Sequence, residues 1–472
     1  MKCYYLYKVN NYLIIIVKGV LYLKNDKKID KYSMVYHLTP KFGLLNDPNG
    51  LINYKDEYYV FYQWNKFETN HSYKCWGYFK SKDMVNWTDM SVALLPDMYF
   101  DKNGVYSGSA IENDDKINIF YTGNVKNELG ERKSYQCKAE SSDGRIFEKK
   151  GVIFETPPGY SEHFRDPKVF KGKNNWWMVI GAQTEKLEGA VVLYKSYDLN
   201  KWEYCKTILK NDDLDNMCEC PDILRFDEGD ILLCSPQKRF ENKVIGKCGY
   251  FRGDFLEDIE EFRSDDYFHY IDYGFNFHSP QTFINKDGRI IVYGWMCGMT
   301  EEEEESLPTK EFGYAHSLSI PRVLTYKNGT LYQSPIEELK KLRGNEEIWN
   351  SNESNIFSNF QLEFLFDFPE VIKENFIFNM RGNVIEVKYD IVSNVISIKR
   401  YNWSTHKIQE RIINLEEKLK NMQFFLEESS FELFINDGKY VCTLRYFCES
   451  NYNDINIKCD DNVRIKFYKL EL

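Results

Sequence analysis

The sequence lacks any long hydrophobic run. Its one apolar N-terminal stretch, from Leu13 to Val17, is stopped by Lys18. That stretch is too short for the hydrophobic core of a signal peptide and too short for a membrane-spanning helix. Residues 1–33 are therefore interpreted as an N-terminal extension of unknown role, and the sequence predicts a cytoplasmic protein.

The sequence also lacks an excess of positive charge and any CxxC pair. Lys+Arg 61 against Asp+Glu 72 gives a net charge of −11, whereas nucleic acids and anionic membrane surfaces bind clustered positive charge. Neither is expected as a partner. Cys218 and Cys220 flank a single residue, a spacing too short for a zinc knuckle, and His37, His71 and His163 show no ligand spacing with acids. We therefore expect no metal and no other cofactor, and thiols typical of a reducing compartment. The oligomeric state stays open.

Aromatic side chains are abundant instead. Tyr, Phe and Trp make up 16% of 472 residues, and this enrichment favours strands. The chain is about twice the length at which a single core stops growing, so we expect one large architecture with a smaller domain, or two domains. The glutamate run at 301–305 is predicted to be a solvated loop.

An internal repeat predicts the architecture of the first part of the chain. Five segments share a few apolar residues, a polar turn and an aromatic, β-branched strand: residues 51–64, 111–123, 168–183, 223–237 and 282–296. Their turn residues are Asp56, Asp115, Asn174, Gly229 and Asp287, spaced by 59, 59, 55 and 58 positions. Each segment is a predicted hairpin. Because a second pattern adds two strands to the early copies, residues 34–335 are predicted to form a five-bladed β-propeller.

The repeat ends after Pro335. Residues 336–349 are interpreted as a linker with a short helical segment. Short alternating strands then return without the repeat, and Asn436-Asp437-Gly438 is a hairpin signal. Residues 350–472 are therefore predicted to form a C-terminal β-sandwich, which makes the whole chain all-β.

Three acids occupy matching positions of the repeat. Asp47, Asp166 and Glu219 lie 9, 8 and 10 positions before their turn residues, and Ser107 and Ser279 each lie 8 before theirs. Alone, each acid would be interpreted as a turn residue. The repeat, however, places all of them on blade-starting strands that converge at one end of a channel. Converging carboxylates allow an acid and a base at one pH, which glycoside cleavage requires.

The motifs around these acids resemble a known family. HLTPKFGLLNDPNG (37–50), FRDPKVF (164–170) and ECPD (219–222) resemble signature blocks of the glycoside hydrolase family 32 β-fructosidases. These include invertases, sucrose-6-phosphate hydrolases, inulinases and levanases. The resemblance runs from residue 36 to the C-terminus, and the family fold is a five-bladed propeller followed by a sandwich.

The resemblance implies a role for each residue. Asp47 matches the nucleophile, Glu219 the general acid/base, and Asp166 the residue that stabilises the transition state. The implied retaining mechanism predicts carboxyl groups of Asp47 and Glu219 roughly 5–5.5 Å apart. The residues implied to bind the fructosyl unit or orient the acids are Asn46, Gln63, Trp76, Ser107 and Arg165.

Several functions stay open at this stage. The leading prediction is hydrolysis of sucrose 6-phosphate, or sucrose, to a glucose moiety and fructose. Fructan hydrolysis, fructosyl transfer and a non-catalytic carbohydrate-binding propeller are the alternatives. Departures from the family pattern, including Tyr78, Cys218, Asn276 and His278, are expected on the leaving-group side. His278, together with Lys66 and Arg239, is a candidate for phosphate recognition.

Overall fold

Strands dominate the protein, which confirms the prediction of an all-β chain. The computed structural model describes residues 5–9, 12–17, 20–25, 30–240, 243–449 and 452–472. The chain divides into two compact units, Met1–Ser33 and Met34–Leu472. The first unit holds one antiparallel sheet of β1 (Tyr5–Val9), β2 (Tyr12–Val17) and β3 (Val20–Asn25).

Five sheets built from antiparallel strands follow in chain order. The first contains β4 (Gly43–Tyr54), β5 (Glu57–Asn65), β6 (Cys75–Ser81) and β7 (Trp87–Leu94). The second contains β8 (Val105–Asn113), β9 (Lys116–Lys126), β10 (Arg132–Ser141) and β11 (Glu148–Glu155). The third contains β12 (Tyr160–Lys171), β13 (Trp176–Thr184), β14 (Gly189–Ser196) and β15 (Glu203–Leu209).

The last two of these sheets carry additions. The fourth contains β16 (Met217–Phe226), β17 (Gly229–Phe240), β18 (Lys243–Gly246), β19 (Gly249–Leu256), β20 (Glu261–Ser264) and β21 (His269–Tyr270). The fifth contains β22 (His278–Ile284), β23 (Ile290–Trp295), β25 (Arg322–Lys327) and β26 (Thr330–Pro335), while β24 (Tyr314–Ala315) pairs in parallel with β4. All five predicted hairpins are present.

The first strands of the five sheets contact one another in a closed sequence. β4 contacts β8, β8 contacts β12, β12 contacts β16, β16 contacts β22, and β22 contacts β4 again. Buried apolar clusters lie between consecutive sheets, and each cluster takes residues from two of them. Each sheet therefore packs against two neighbours, and the starting strands are brought together.

Two six-stranded antiparallel sheets form the C-terminal part. One contains β27 (Glu347–Trp349), β38 (Arg464–Lys469), β29 (Leu362–Asp367), β34 (Asn421–Leu426), β35 (Ser430–Ile435) and β36 (Tyr440–Arg445). The other contains β28 (Ser354–Ile356), β37 (Asp454–Lys458), β30 (Phe376–Met380), β31 (Ile385–Asp390), β32 (Val395–Tyr401) and β33 (Ile408–Asn414). Both sheets bury aromatic side chains in one shared core, an arrangement that fits the predicted β-sandwich.

Helices are few and short. The α-helix α1 spans Glu301–Glu305, and 3₁₀ turns span Asp212–Leu214, Pro308–Phe312 and Glu337–Leu342. The last turn lies in the predicted helical part of the linker. No helix in the described part of the chain has the length and apolar character needed to cross a bilayer.

A buried charged network connects the start of the second unit to the C-terminal sheets. His37 bonds to Glu427 and, at 2.9 Å, to Glu432, and all three side chains are fully buried. Glu432 also accepts from Arg322 Nη2 at 2.5 Å. Burial lowers the pKa of His37, but its hydrogen bonds to the two carboxylates raise it to about 9. The imidazole is therefore held as a cation near neutral pH.

Candidate active site

The predicted acids all lie on strands that begin a sheet. Asp47 lies on β4, Asp166 on β12 and Glu219 on β16, while Ser107 and Ser279 lie on β8 and β22. Each of these strands shifts register against its partner at this level, between Leu45/Pro48, Val105/Gly108, Arg165/Lys168, Glu219/Asp222 and His278/Gln281. A β-bulge re-aims the side chains at the irregularity. Five adjacent strands therefore each carry a β-bulge at a matching position.

The backbone at three of these bulges is left-handed. The φ angles are 66° at Asp166, 47° at Cys220 and 46° at Ser279. A non-glycine residue in this region costs on the order of 1 kcal/mol or more, and such strain concentrates at functional sites. The bulges therefore place side chains at the expense of backbone energy.

A hydrogen-bonded chain ends on the Asp47 carboxylate. Lys74 Nζ donates to Gln63 Oε1 at 2.7 Å, Gln63 Nε2 donates to Ser107 Oγ at 2.6 Å, and Ser107 Oγ donates to Asp47 Oδ2 at 2.6 Å. This series of hydrogen bonds orients Oδ2 of Asp47, and the other carboxylate oxygen takes no part in it. Sequence reasoning identified Gln63, Ser107 and Asp47 but missed Lys74, since no local pattern distinguishes this lysine from other loop lysines.

Arg165 and Gln237 hold the second acid, Glu219. Arg165 donates from Nε at 3.0 Å and from Nη2 at 2.5 Å to Glu219 Oε1, and Gln237 donates to Oε2. Arg165 Nη1 also donates to His163 Nδ1 at 3.2 Å. The predicted pairing of Arg165 with a neighbouring carboxylate is present. Gln237, on the strand paired with β16, carried no sequence signal.

Asp166 is the most deeply buried of the three acids, with 3% of its surface exposed. Its Oδ2 accepts from the backbone N–H of Cys220 at 3.2 Å and lies 3.8 Å from Arg165 Nε. Burial raises the pKa of Asp166 and Arg165 lowers it, while the charges of Glu219 and Asp47 raise it again, to about 7. Glu219 and Asp47 therefore both lie within electrostatic reach of Asp166.

The two remaining predicted binding residues differ in setting. Asn46 Nδ2 lies 3.4 Å from His71 Nδ1, next to the Asp47 position. Trp76 is fully buried in the core, and its indole N–H donates to the Tyr106 carbonyl at 3.0 Å. Trp76 therefore supports the strand that carries Ser107. Its direct contact with a sugar stays a prediction.

Several departures from the family pattern lie in the core rather than at an open surface. Tyr78 stacks on Phe61, with ring centroids 5.2 Å apart, and Cys218 is fully buried. Asn276 is also fully buried and bonds to Arg400 of the sandwich. All three are buried in the packing between sheets, and their place on the leaving-group side stays a prediction.

The candidates for phosphate recognition are not brought together by the described contacts. His278 is buried and its Nδ1 lies 2.8 Å from Ser279 Oγ. Lys66 lies over the ring of Phe67, 5.1 Å from its centroid. The side chain of Arg239 lies outside the part of the chain that the structure describes.

The glutamate run is a helix, so the prediction of a solvated loop is wrong. Thr300 caps α1 through a capping box with Glu303. Glu303 is 4% exposed and accepts from Asn402 and, at 2.9 Å, from Gln409. Hydrogen-bond partners on the sandwich thus surround the Glu303 carboxylate, which the sequence predicted to be exposed to solvent.

The next residue of that helix reaches the edge of the site. Glu304 Oε1 accepts from His316 Nε2 at 2.6 Å and from His71 Nε2 at 2.8 Å. Cys297, Glu304 and His316 offer ligand atoms within 4.8 Å of one another. Both histidines use Glu304 as a hydrogen-bond acceptor, while the buried Nδ1 of His316 has no hydrogen-bond partner among the described residues.

Comparison with known proteins identifies the family. Residues 37–335 match the model of the glycosyl hydrolases family 32 N-terminal domain. The chain is 38% identical over 433 residues to the sucrose-6-phosphate hydrolase of Bacillus subtilis (strain 168), covering 89% of both proteins. It is 36% identical over 468 residues to the same-named protein of Staphylococcus xylosus, covering 94% of this chain and 93% of that one. The solved structure of sucrose-6-phosphate hydrolase from Lactobacillus gasseri superposes with a TM-score of 0.85 at 28% identity, covering 94% of each chain. The bulged strands, the three carboxylates and these matches together show that the chain belongs to glycosyl hydrolase family 32.

Proposed function

We propose that the protein is a retaining glycoside hydrolase that cleaves the β-fructofuranosidic bond of sucrose 6-phosphate, or of sucrose, to a glucose moiety and fructose. The observation that carries the proposal is the set of three carboxylates on matching bulged strands, each with different partners. The family and the sucrose-6-phosphate hydrolases that the chain resembles support a small carbohydrate as substrate. The cytoplasmic location stays a prediction.

In the proposed mechanism Asp47 is the nucleophile. Ser107 binds one of its oxygens at 2.6 Å, so the other attacks the anomeric carbon of fructose and forms a fructosyl-enzyme. Glu219 donates a proton to the leaving oxygen and then takes one from the attacking water. The separation of about 5–5.5 Å between these carboxyl groups stays a prediction.

Arg165 and Asp166 have supporting roles in this mechanism. Arg165 fixes the Glu219 carboxyl through two donors and offsets part of the negative charge. Asp166 binds fructose hydroxyls and stabilises the positive charge that develops on the ring. Since its pKa is about 7, the group of acids takes up a proton near neutral pH. Asn46, Gln63 and Trp76 complete the proposed fructosyl subsite.

The architecture that supports this site is, in our proposal, a five-bladed β-propeller over residues 34–335. The support is the closed sequence of contacts among the five starting strands and the core clusters between consecutive sheets. Residues 336–349 are the linker and residues 350–472 the β-sandwich.

Steady-state hydrolysis of sucrose 6-phosphate and sucrose by purified wild-type protein tests the proposal. Glu219→Gln is expected to lower kcat by about 10²- to 10⁴-fold, and Asp47→Asn by at least as much. The matched control is Asp56→Asn, an exposed aspartate at the end of the same hairpin, with unchanged kinetics. Wild-type protein that cleaves neither sugar, or full activity in Asp47→Asn, contradicts the proposed function.

A further inference from the structure

Two cationic side chains lie over the same aromatic ring beside the acids. Lys74 Nζ is 5.6 Å and Arg132 Cζ is 5.5 Å from the centre of the Tyr106 ring. Tyr106 directly precedes Ser107, which donates to Asp47. Lys74 belongs to the connection between β5 and β6, whereas Arg132 begins β10. Two sheets thus bring one cation each to a single ring.

Tyr106 also affects the arginine that holds Glu219. Burial lowers the pKa of the Arg165 guanidinium, whereas the nearby carboxylates of Glu219 and Asp166 raise it. Tyr106 adds to that rise, so its phenol lies within electrostatic reach of Arg165. Arg165 in turn holds Glu219, the residue proposed to protonate the leaving oxygen. The two cations therefore lie beside residues of the proposed site, and one of them bonds to Gln63.

A phosphorylated leaving group requires such cations. Three carboxylates and one guanidinium already occupy the site, so a phosphate dianion entering beside them meets repulsion. Lys74 has three N–H donors and gives one to Gln63.

Both side chains suit an anionic ligand. Among residues 30–240, 243–449 and 452–472, no carboxylate oxygen forms an ion pair with Lys74 Nζ within 4.0 Å. Arg132 carries the planar fork of donors that binds phosphate oxygens in pairs. We propose that Lys74 and Arg132 bind the phosphate of a phosphorylated leaving sugar, an inference that rests on the proposed function and names the residues that select its substrate.

Binding of glucose 6-phosphate, the phosphorylated product of sucrose 6-phosphate, tests the pair directly. A titration followed by ³¹P NMR is expected to show a Kd at least tenfold higher in Lys74→Gln and in Arg132→Gln than in wild type, a change of about 1.4 kcal/mol. Arg132→Lys keeps the positive charge but not the planar pair of donors, and its Kd is expected to lie between those of wild type and Arg132→Gln. Thermal unfolding of each variant checks that it is folded.

The matched control is Lys133→Gln. Lys133 follows Arg132 on β10, so it points to the opposite face of the sheet, where its Nζ lies 2.9 Å from Glu155. Its removal changes the net charge equally and is expected to leave the Kd within twofold. An unchanged Kd in Arg132→Gln, or an equal rise in Lys133→Gln, overturns the proposal.

Kinetics separate this inference from the proposed function. In Arg132→Gln the ratio of kcat/KM for sucrose 6-phosphate to that for sucrose is expected to fall at least tenfold. A wild-type protein that hydrolyses neither sugar contradicts the proposed function, while the titration still decides on the phosphate site. A wild-type protein that hydrolyses sucrose but binds no glucose 6-phosphate overturns the phosphate site alone.

Discussion

Raising the pH from 7.0 to 8.5 is expected to weaken the fold by removing the proton from His37. The pKa of His37 is about 9 in the folded protein, against 6.5 for an ordinary histidine. A group whose pKa is raised on folding stabilises the fold fully below its unfolded pKa. That stabilisation is lost as the pH rises through the folded pKa. For these two values the loss between pH 7.0 and 8.5 is about 1.7 kcal/mol.

Urea unfolding at the two pH values measures this loss. Wild type is expected to lose about 1.7 kcal/mol more than His37→Gln, whose side chain does not titrate. Asp166, with a pKa of about 7, also releases protons in this window, but it does so in both proteins, so the difference between them reports His37. The window lies below the ordinary thiol pKa of 9.0. His406→Gln, which removes an exposed histidine, is the matched control and is expected to behave as wild type.

The physical reason is the pair of carboxylates around the imidazole. Glu427 and Glu432 have no solvent-exposed side-chain surface, so a neutral His37 leaves buried negative charge poorly compensated. An identical pH dependence in wild type and His37→Gln would refute this reasoning. It would mean that the imidazole is neutral in the folded protein throughout the window.

Three further predictions concern the site and its supports. Asp166→Asn is expected to remove the ionisation near pH 7 from the pH profile of kcat/KM. If the variant keeps this ionisation, it belongs to another group. Glu303→Ala is expected to lower the free energy of unfolding in urea by about 3 kcal/mol, because it leaves buried partners without their acceptor. Glu302→Ala, which changes the exposed neighbour, is expected to lower it by less than about 0.5 kcal/mol. Equal losses contradict the burial of Glu303. Gly438→Ala is expected to lower the Tm more than Gly288→Ala. Both glycines have left-handed φ angles (80° and 85°), but only at Gly438 would a Cβ lie 1.7 Å from a backbone oxygen. Equal decreases in Tm would show that backbone strain alone acts.

The strand positions of the three acids could be predicted because they depend on local spacing. Asp47, Asp166 and Glu219 each precede a hairpin turn by a similar number of residues, and the hairpins formed where turn chemistry placed them. Alternation and turn residues act within a few positions of the chain. The same spacing correctly paired Ser107 with the acids.

The partners of these acids could not be predicted because they come from other strands and sheets. Lys74 and Gln237 reach the site through a loop and through the strand paired with β16, and neither carries a motif. Glu303 was assigned to solvent because only its local charge was visible, while its partners lie about a hundred residues later. Arg322 and His37 likewise reach Glu432 only after the sandwich is in place.

The placement of His37 also has a consequence for the order of events during synthesis. Its partner Glu427 lies 390 residues further along the chain. At a ribosomal rate of about 5–20 residues per second, roughly 20 to 80 seconds separate the two residues. The network around His37 therefore cannot form while most of the chain is still being made. Truncated or stalled chains that lack Glu427 and Glu432 leave His37 without its hydrogen-bond partners and without the strands that cover it, which gives quality-control proteases a physical basis for distinguishing them from finished chains.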